Sequence, residues 1–315
     1  MQGNHSLATQ PSYADLEPPR TSEARLNLDP EKFRQSFDRV PFGFSHNLSE
    51  LELFKFESLR SLAEKFSAVP RDYFVAGSAS TAGTDFDSVP YGQATPSQAL
   101  ENLEARSFRV LLKRPESHEP QFRELLDVLF RQIVELRGGL GSERVVRLES
   151  AILISSAATT TPIHFDPEIG FFSQIEGEKF YHVYPPGSVS EPELERFYVR
   201  GEVAIGKVDL GKRDAAQEHV FNLSPGKGFH QPQNSPHWVQ TGKSRSVSYT
   251  LVFETDATRA FGRTRAFNHY QRMSGLRPAN PGKHSALDSA KASAMLAVIP
   301  ARKLVGRMIS KVRSR

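Results

Sequence analysis

Three side chains in the second half of the chain have the residue types and spacing of a metal site. His164 and Asp166 are two positions apart in the segment TPIHFDPE, so on an extended strand their side chains point to the same face. His237 lies on a later predicted strand, in the segment QPQNSPHWVQTG. Two histidines and one carboxylate on one face of a metal leave coordination positions open, as in non-haem iron(II) oxygenases. The pattern predicts a mononuclear metal centre at His164, Asp166 and His237.

Other histidines are not predicted to bind metal. A lone histidine beside a strand more often forms hydrogen bonds in the core or at the surface, which is the interpretation for His182, His219 and His230. Of these, His230 lies beside the segment that leads to His237, a position from which it could touch substrate. Trp238 follows the third predicted ligand and should face away from the metal, because side chains alternate along a strand.

Short apolar runs after Gly141, divided by glycine and proline, predict the strands that hold these residues. Several such strands with turn signals between them are typical of an antiparallel sandwich or barrel. The runs are VVRLESAILISS, FFSQIEGEKFYHVYPP, HVFNLSPGKGF, PHWVQTG and RSVSYTLVFE.

Two helices and one strand are predicted upstream of this β-rich region. Residues 49–66 have apolar groups near helical spacing, with Ser49 as the N-cap. A longer apolar stripe over residues 122–134 predicts a second helix that ends at Gly138. The run FRVLLKR at 108–114 predicts a strand. Helices followed by strands favour an α+β fold with a β core.

Residues 145–255 resemble the Jumonji C (JmjC) and cupin-like oxygenases. The resemblance rests on TPIHFD followed by FFSQIEGEK, on the next motif YPPG, and on GKGFHQPQNSPHWV before a strand. It implies an α+β fold with a double-stranded β-helix (jelly-roll) core and helical decoration at both ends. It also implies an oxygenase that uses Fe(II), O2 and 2-oxoglutarate as cosubstrate, and couples oxidative decarboxylation to succinate with C–H hydroxylation. Hydroxylation of a carbon that bears nitrogen would give demethylation, and both outcomes stay open.

Lys179 has a role on physical grounds that the resemblance also implies. A dicarboxylate that chelates iron through its keto acid end leaves a second carboxylate inside the barrel, and a buried carboxylate requires a cation and hydrogen bonds. Lys179 offers a compact charge with three donors. The resemblance implies that Lys179 and Thr161 bind this carboxylate and that Phe172 lines the pocket. Gly170 stands where the closest relatives often carry asparagine, which bears on the substrate and not on the metal.

The sequence predicts five segments. Residues 1–30 form a tail with too few large apolar groups to offset the entropy of ordering. Residues 31–145 form helical and mixed elements that pack on the core, and residues 146–256 form the jelly-roll core. Residues 257–300 form a basic extension that packs on the barrel or lines the substrate entrance. Residues 301–315 form a basic amphipathic helix.

Composition narrows the function further. The chain of 315 residues has no cysteine, which excludes disulfides, thiolate metal sites and cysteine nucleophiles. Its net charge is +4, but residues 301–315 carry six basic and no acidic side chains, so the remainder is slightly acidic. Without a signal sequence or an apolar span, we expect a cytoplasmic protein.

The expected partners follow from the same features. Residues 301–315 suggest peripheral contact with the inner membrane surface or with a partner, and a homodimer is also open. Nucleic acid is not expected. The substrate is expected to be a small molecule, a saccharide or lipid-linked metabolite, or a protein side chain.

Two other functions remain open from the sequence. One is a cupin-fold regulatory protein that only binds, and the complete set of His164, Asp166, His237 and Lys179 argues against it, because such a protein has no physical need for all four groups. The other is a metal cupin enzyme without 2-oxoglutarate. Substituting Lys179 or Thr161 separates the two enzymes, since activity is abolished only if 2-oxoglutarate is used.

Overall fold

The structure, a computed structural model, describes residues 19–89, 92–200 and 205–298. Its helices are α1 (Pro30–Ser36), α2 (Phe56–Ser67), α3 (Pro96–Glu101), α4 (Pro120–Arg137), α5 (Glu191–Tyr198), α6 (Asp256–Met273) and α7, which is helical over residues 285–298. None of the helices in these ranges is both long and apolar enough to cross a membrane.

The described part of the chain also contains thirteen strands. They are β1 (Leu26–Asn27), β2 (Phe42–His46), β3 (Tyr73–Ala76), β4 (Arg109–Lys113), β5 (Val145–Ser155), β6 (Thr160–Phe165), β7 (Ile169–Glu176), β8 (Lys179–Val183), β9 (Gly206–Lys207), β10 (His219–Leu223), β11 (Lys227–Gln231), β12 (His237–Thr241) and β13 (Ser246–Thr255).

The strands form two antiparallel sheets that face each other. The larger sheet has the order β1-β2-β11-β7-β13-β5-β4-β3, and the smaller has the order β10-β8-β12-β6-β9. From β5 onward the chain crosses repeatedly between the sheets, with β6, β8 and β12 in the smaller one and β7, β11 and β13 in the larger one. This is a double-stranded β-helix with helices at both ends, so the predicted fold class is confirmed.

The larger sheet is buried on both faces, and β7 shows how. Phe171 faces the helices, where its ring stacks 6.4 Å from that of Phe33, while its neighbour Phe172 faces the smaller sheet, with its ring 4.4 Å from that of Tyr181. Successive side chains of a strand point to opposite faces, so one strand serves two cores. The helical core stabilises the sheet, and the core between the sheets surrounds a cavity.

Helix α4 covers the outer face of the larger sheet. It begins with Pro120 in its first turn and ends where Gly138 adopts a left-handed conformation with φ of 80°. This is the usual pairing of proline at the start and glycine after the end of a helix. Its buried stripe contains Phe122, Leu125, Leu126, Leu129 and Ile133, as the apolar spacing predicted.

The turn between β7 and β8 requires glycine. Gly177 has φ of 68°, and a Cβ atom there would lie 2.1 Å from the carbonyl oxygen of Arg245. The turn carries the chain from the larger sheet to the smaller one, and Lys179 is the first residue of β8. The run FFSQIEGEKFYHVYPP therefore forms two strands, and Lys179 lies on the second of them, not on β7, which directly follows the metal motif.

Helix α6 packs on α5, and α7 packs on α6. Arg265 forms two hydrogen bonds with Glu191, at 2.9 and 3.0 Å, and Arg272 binds the almost fully buried Glu195 at 2.8 Å. Lys291 of α7 donates to Asn268 at 2.7 Å. Residues 257–298 thus pack on α5 and on one another, and packing of the extension on the barrel or along the substrate entrance stays a prediction.

Several predicted boundaries differ from the structure. The tail does not extend to residue 30, because Leu26 is buried and pairs with His46 through β1 and β2. Ser49 is not an N-cap, because residues 48–54 form two short 3₁₀ turns and α2 begins at Phe56. Residues 31–145 contribute β2, β3 and β4 to the larger sheet in addition to helices. The rest of the predicted tail, residues 1–18, and the predicted helix at 301–315 lie outside the described residues.

We expect Phe171→Ala to lower the free energy of unfolding by about 3–5 kcal/mol, because a fully buried ring is lost from a close-packed core. Denaturant unfolding followed by circular dichroism measures the change. The control Val220→Ala removes a half-exposed side chain from β10 and should change stability by no more than about 0.5 kcal/mol. An effect of Phe171→Ala as small as the control's would contradict the two-sided packing of β7.

Candidate metal and cosubstrate site

The structure brings His164, Asp166 and His237 together. One ligand atom from each lies within 4.8 Å of the others, and both histidines are buried. Strand pairing causes this, because β6 and β12 are antiparallel neighbours in which His164 stands directly opposite His237. Asp166 follows the last residue of β6, so it extends the alternation of that strand by one step. The three form a facial set of two imidazoles and one carboxylate, the arrangement that suits a non-haem iron site.

Hydrogen bonds fix which nitrogen of each histidine is available. Nδ1 of His164 lies 2.9 Å from the carbonyl oxygen of Pro162, and Nδ1 of His237 lies 3.1 Å from that of Ser235. A carbonyl only accepts, so each Nδ1 carries the proton and donates, and each Nε2 keeps its lone pair. Such an outer hydrogen bond is the usual way in which a protein orients a histidine ligand.

The protonation of His164 also suits a ligand. Burial, together with the nearby His237, lowers the pKa of His164 to about 4. The imidazole is therefore neutral at pH 7 and able to donate its lone pair.

The loop after Asp166 is held by amides from the β11–β12 connection. Gln231 donates to Oδ2 of Asp166 at 3.2 Å, Gln233 donates to the carbonyl of Pro167 at 2.7 Å, and the backbone N–H of Asn234 donates to the carbonyl of Asp166 at 2.9 Å. These bonds fix the carboxylate relative to His237. No pattern in the sequence marked these amides as functional, although all three lie in the QPQNSPH segment.

A cavity of about 500 Å³ between the sheets connects the three residues with Lys179, Thr161 and Phe172. Lys179 is buried, and its Nζ donates to Ser248 Oγ at 2.9 Å and lies 5.6 Å from the centre of the Phe172 ring. Burial, and in addition the charge of Arg109, lowers the pKa of Lys179 to about 7. No carboxylate of the described residues forms an ion pair with it. All six residues predicted for the site therefore line one cavity.

Arg109 is a cavity residue that the sequence analysis missed. It lies on β4, is buried, and donates from Nη1 to the Thr161 hydroxyl at 3.0 Å. Burial lowers its pKa to about 10, so it remains charged at neutral pH. The only signal was alternation along FRVLLKR, where Val110 and Leu112 are buried in the helical core and Arg109 faces the other way.

The opposite end of the cavity is lined by an ionic network. Arg147 contacts Glu168, lies 2.8 Å from Glu149 and lies 3.4 Å from Glu254. The three carboxylates raise the pKa of Arg147, while burial and the charge of Asp166 raise the pKa of Glu168. The cavity thus has cations at one end and an acidic network around one arginine at the other.

His182, His219, His230 and Trp238 do not line the cavity. His230 is fully buried; it donates from Nδ1 to the carbonyl of Gly170 at 3.0 Å and accepts at Nε2 from the N–H of Asp38 at 2.9 Å. It therefore packs in the helical core and does not touch a substrate in the pocket. Trp238 faces away from the ligands, as expected, and stacks on His182 at 3.6 Å.

Comparison with known proteins finds solved structures that resemble this architecture. The double-stranded β-helix with helices at both ends is the fold of JmjC-type oxygenases. YcfD, a ribosomal oxygenase from Escherichia coli solved in complex with cobalt and 2-oxoglutarate, is 17% identical, with a TM-score of 0.50 over 88% of this chain and 68% of that one. A second crystal structure of the same E. coli protein gives 17% identity, the same coverage and a TM-score of 0.49. At this level of identity the likeness concerns the fold. No protein-family model and no curated protein sequence matches the chain.

Lys179→Met is expected to stabilise the protein without ligands, because methionine fills a similar volume without a buried charge. The folded-state pKa of Lys179 lies below its ordinary value of 10.5, so above pH 7 the unfolded chain binds the extra proton and wild-type stability rises with pH. The advantage of Lys179→Met should therefore shrink from pH 7 to pH 9, by at most about 1.4 kcal/mol per pH unit.

Denaturant unfolding of both proteins at several pH values measures this difference. Lys55→Met, at an exposed position, is the control, for which we expect no such trend. An advantage of Lys179→Met that is constant over the range would show that Lys179 titrates as an ordinary surface lysine.

Proposed function

We propose that the protein is an Fe(II)- and 2-oxoglutarate-dependent oxygenase that hydroxylates a C–H bond of its substrate. One observation carries the proposal: a facial His–Asp–His set lines the same cavity as a buried lysine that forms no ion pair with any described residue. A metal cupin that binds no dicarboxylate has no use for an ammonium group with a pKa of about 7 in its core.

The donor set fits iron(II). His164 and His237 would each donate Nε2 and Asp166 a carboxylate oxygen, and a buried mixed nitrogen and oxygen site with open positions suits non-haem iron. When bound, the iron and 2-oxoglutarate would supply the activation of O2 and the oxidation of the C–H bond, with succinate and carbon dioxide as products.

The side chains of the chain itself bind, orient and exclude water. Lys179 and the Thr161 hydroxyl would bind the far carboxylate of 2-oxoglutarate, and Gln231 holds the Asp166 carboxylate by its 3.2 Å hydrogen bond. Phe172, Tyr181 and Val239 form an apolar wall between the sheets that keeps water from the cosubstrate. In such a dry cavity the electrostatic attraction between Lys179 and a carboxylate is stronger than in water.

The substrate remains a prediction from the sequence: a small molecule, a saccharide or lipid-linked metabolite, or a protein side chain. It would enter from the Arg147 end of the cavity, because Lys179 and Arg109 occupy the other end. YcfD is a ribosomal oxygenase, and a ribosomal component would be one candidate substrate for this chain.

Anaerobic addition of Fe(II) and 2-oxoglutarate is expected to produce the visible charge-transfer band of the iron chelate. The band should be absent in His164→Ala and should require more 2-oxoglutarate in Lys179→Ala, because the first variant lacks a ligand and the second lacks the cation. His219→Ala, at an exposed position on β10, should behave as wild type. Bound iron without any band would refute the use of 2-oxoglutarate, and failure to bind iron would favour a binding protein.

The affinity for 2-oxoglutarate should fall as pH rises above 7. Carboxylate binding favours the charged form of Lys179, which is already present below pH 7 but requires proton uptake above it. Arg109 stays protonated in this range with a pKa of about 10, and burial raises the pKa of Tyr181 well above its ordinary value. Burial and the charge of Asp166 raise the pKa of Glu168, in the same cavity, to about 8, so the titration is repeated with Glu168→Gln to separate its proton from that of Lys179.

Calorimetric titration of Zn(II)-loaded protein from pH 6.5 to 8.5, in buffers of different ionisation heat, measures both affinity and proton uptake. We expect up to about tenfold loss of affinity per pH unit above 7. An affinity that does not vary with pH, with no proton taken up, would contradict this role of Lys179.

A further inference from the structure

Arg109 is a second buried cation in the part of the cavity that contains Lys179, and β4, which carries it, lies outside the segment that resembles known oxygenases. Only 8% of its surface is exposed. An arginine with so little access to water normally pairs with a carboxylate or satisfies all of its donors. Arg109 does neither.

Two contacts fix the guanidinium and leave one nitrogen free. Nε donates to the carbonyl of Gly77 at 2.8 Å, and Nη1 donates to Thr161 Oγ1 at 3.0 Å. Nη2 is buried and has no hydrogen-bond partner among the described residues. A buried unsatisfied donor costs about 1–3 kcal/mol or more when charged, so its retention in a fixed position indicates a ligand.

Arg109 and Lys179 cross the space between the sheets in opposite directions. Arg109 extends from β4 of the larger sheet to Thr161 on β6 of the smaller one. Lys179 extends from β8 of the smaller sheet to Ser248 on β13 of the larger one, and Ser248 in turn donates to Gln174 Oε1. Both charges therefore lie inside the barrel, where each makes the charged form of the other less favourable.

The charges at this end of the cavity are not balanced. No carboxylate of the described residues forms an ion pair with Arg109 or Lys179, and the charge of Arg109 is one of the causes that lower the pKa of Lys179. Thr161 accepts from Arg109, so its hydroxyl proton remains available for donation to an anion. These groups together offer an arginine N–H, lysine N–H groups and a hydroxyl.

We propose that Arg109 binds the far carboxylate of 2-oxoglutarate jointly with Lys179, with Nη2 as the donor. The inference rests on the proposed function and adds a specificity: the two cations select a five-carbon keto acid that ends in a carboxylate over one that ends in a methyl group. Arg109 touches the cosubstrate, while Gly77 and Thr161 fix its position.

Two ligands of equal carbon length test the inference. 2-Oxoglutarate carries the far carboxylate, and 2-oxopentanoate has a methyl group in its place. Calorimetry of both with anaerobic, Zn(II)-loaded protein is compared for wild type, Arg109→Met, Lys179→Met and the exposed control Arg60→Met. We expect Arg109→Met to weaken 2-oxoglutarate by about 10- to 100-fold, the usual effect of losing a charge-assisted hydrogen bond, and 2-oxopentanoate by less than about threefold.

The outcomes are distinct. If Arg109→Met binds 2-oxoglutarate as wild type does while Lys179→Met loses it, the role of Arg109 is refuted and the proposed function stands. If both ligands weaken equally, Arg109 only supports the fold, and the inference is again refuted. If wild type takes up Zn(II) but binds neither ligand, the proposed function fails. Circular dichroism monitors folding, and if Arg109→Met does not fold, Arg109→Gln, which can keep a bond to Thr161 without the charge, should show the same selective loss.

Discussion

The pairing of β6 with β12 places His164 directly opposite His237, and the rest of the site depends on that register. Because side chains alternate along a strand, a slip of one residue would turn one of the two histidines away from the cavity. A second strand pairing also fixes this register. β12 also pairs with β8, where Thr241 stands opposite Lys179, so the pairing that aligns the predicted ligands also sets the position of the buried lysine. The predicted metal and cosubstrate sites thus have a common structural origin.

The charged groups inside the barrel lower the stability of the folded protein when no ligand is bound. Arg109 and Lys179 lie between the sheets with no carboxylate of the described residues as an ion-pair partner, and desolvation opposes the charged form of each. The helical core on the outer face of the larger sheet offsets this cost through a large cluster of buried apolar side chains, including those of α2 and α4. Stability is thus concentrated on one side of the sheet, which leaves the other side free to carry groups that are unfavourable until an anion binds.

The sequence was most informative where a local pattern determines the structure. The stripe on α4 and the strand around Leu111 follow from periodicity alone, and the motifs around His164 and His237 predicted side chains that do meet. Short elements were harder to predict, because the 3₁₀ turns at 48–54 have the same apolar spacing as the first turns of a helix. Strand β1 could not be foreseen, since two residues carry no periodicity and Leu26 is held only by tertiary pairing. His230 is a hydrogen-bonded core histidine, as expected, but its partner Asp38 is 192 residues away and could not be predicted from a local pattern.

Arg109 shows why the remaining part of the site was beyond local patterns. Its position in the cavity results from the pairing of β4 with β5, and nothing in its own neighbourhood distinguishes it from a surface arginine of a strand. The segment before the jelly roll also contributes Phe86, whose ring lies 4.9 Å from that of His164, and the backbone of Ala79 and Ala82, which bonds to β6. Residues 31–145 therefore do more than cover the core, because they complete the wall of the cavity and supply Arg109, one of the two buried cations at its Lys179 end. A jelly roll cut from residues 146–256 would keep the three predicted ligands and Lys179, but it would lack the guanidinium that fixes Thr161. The wall of the cavity thus begins before the β-helix.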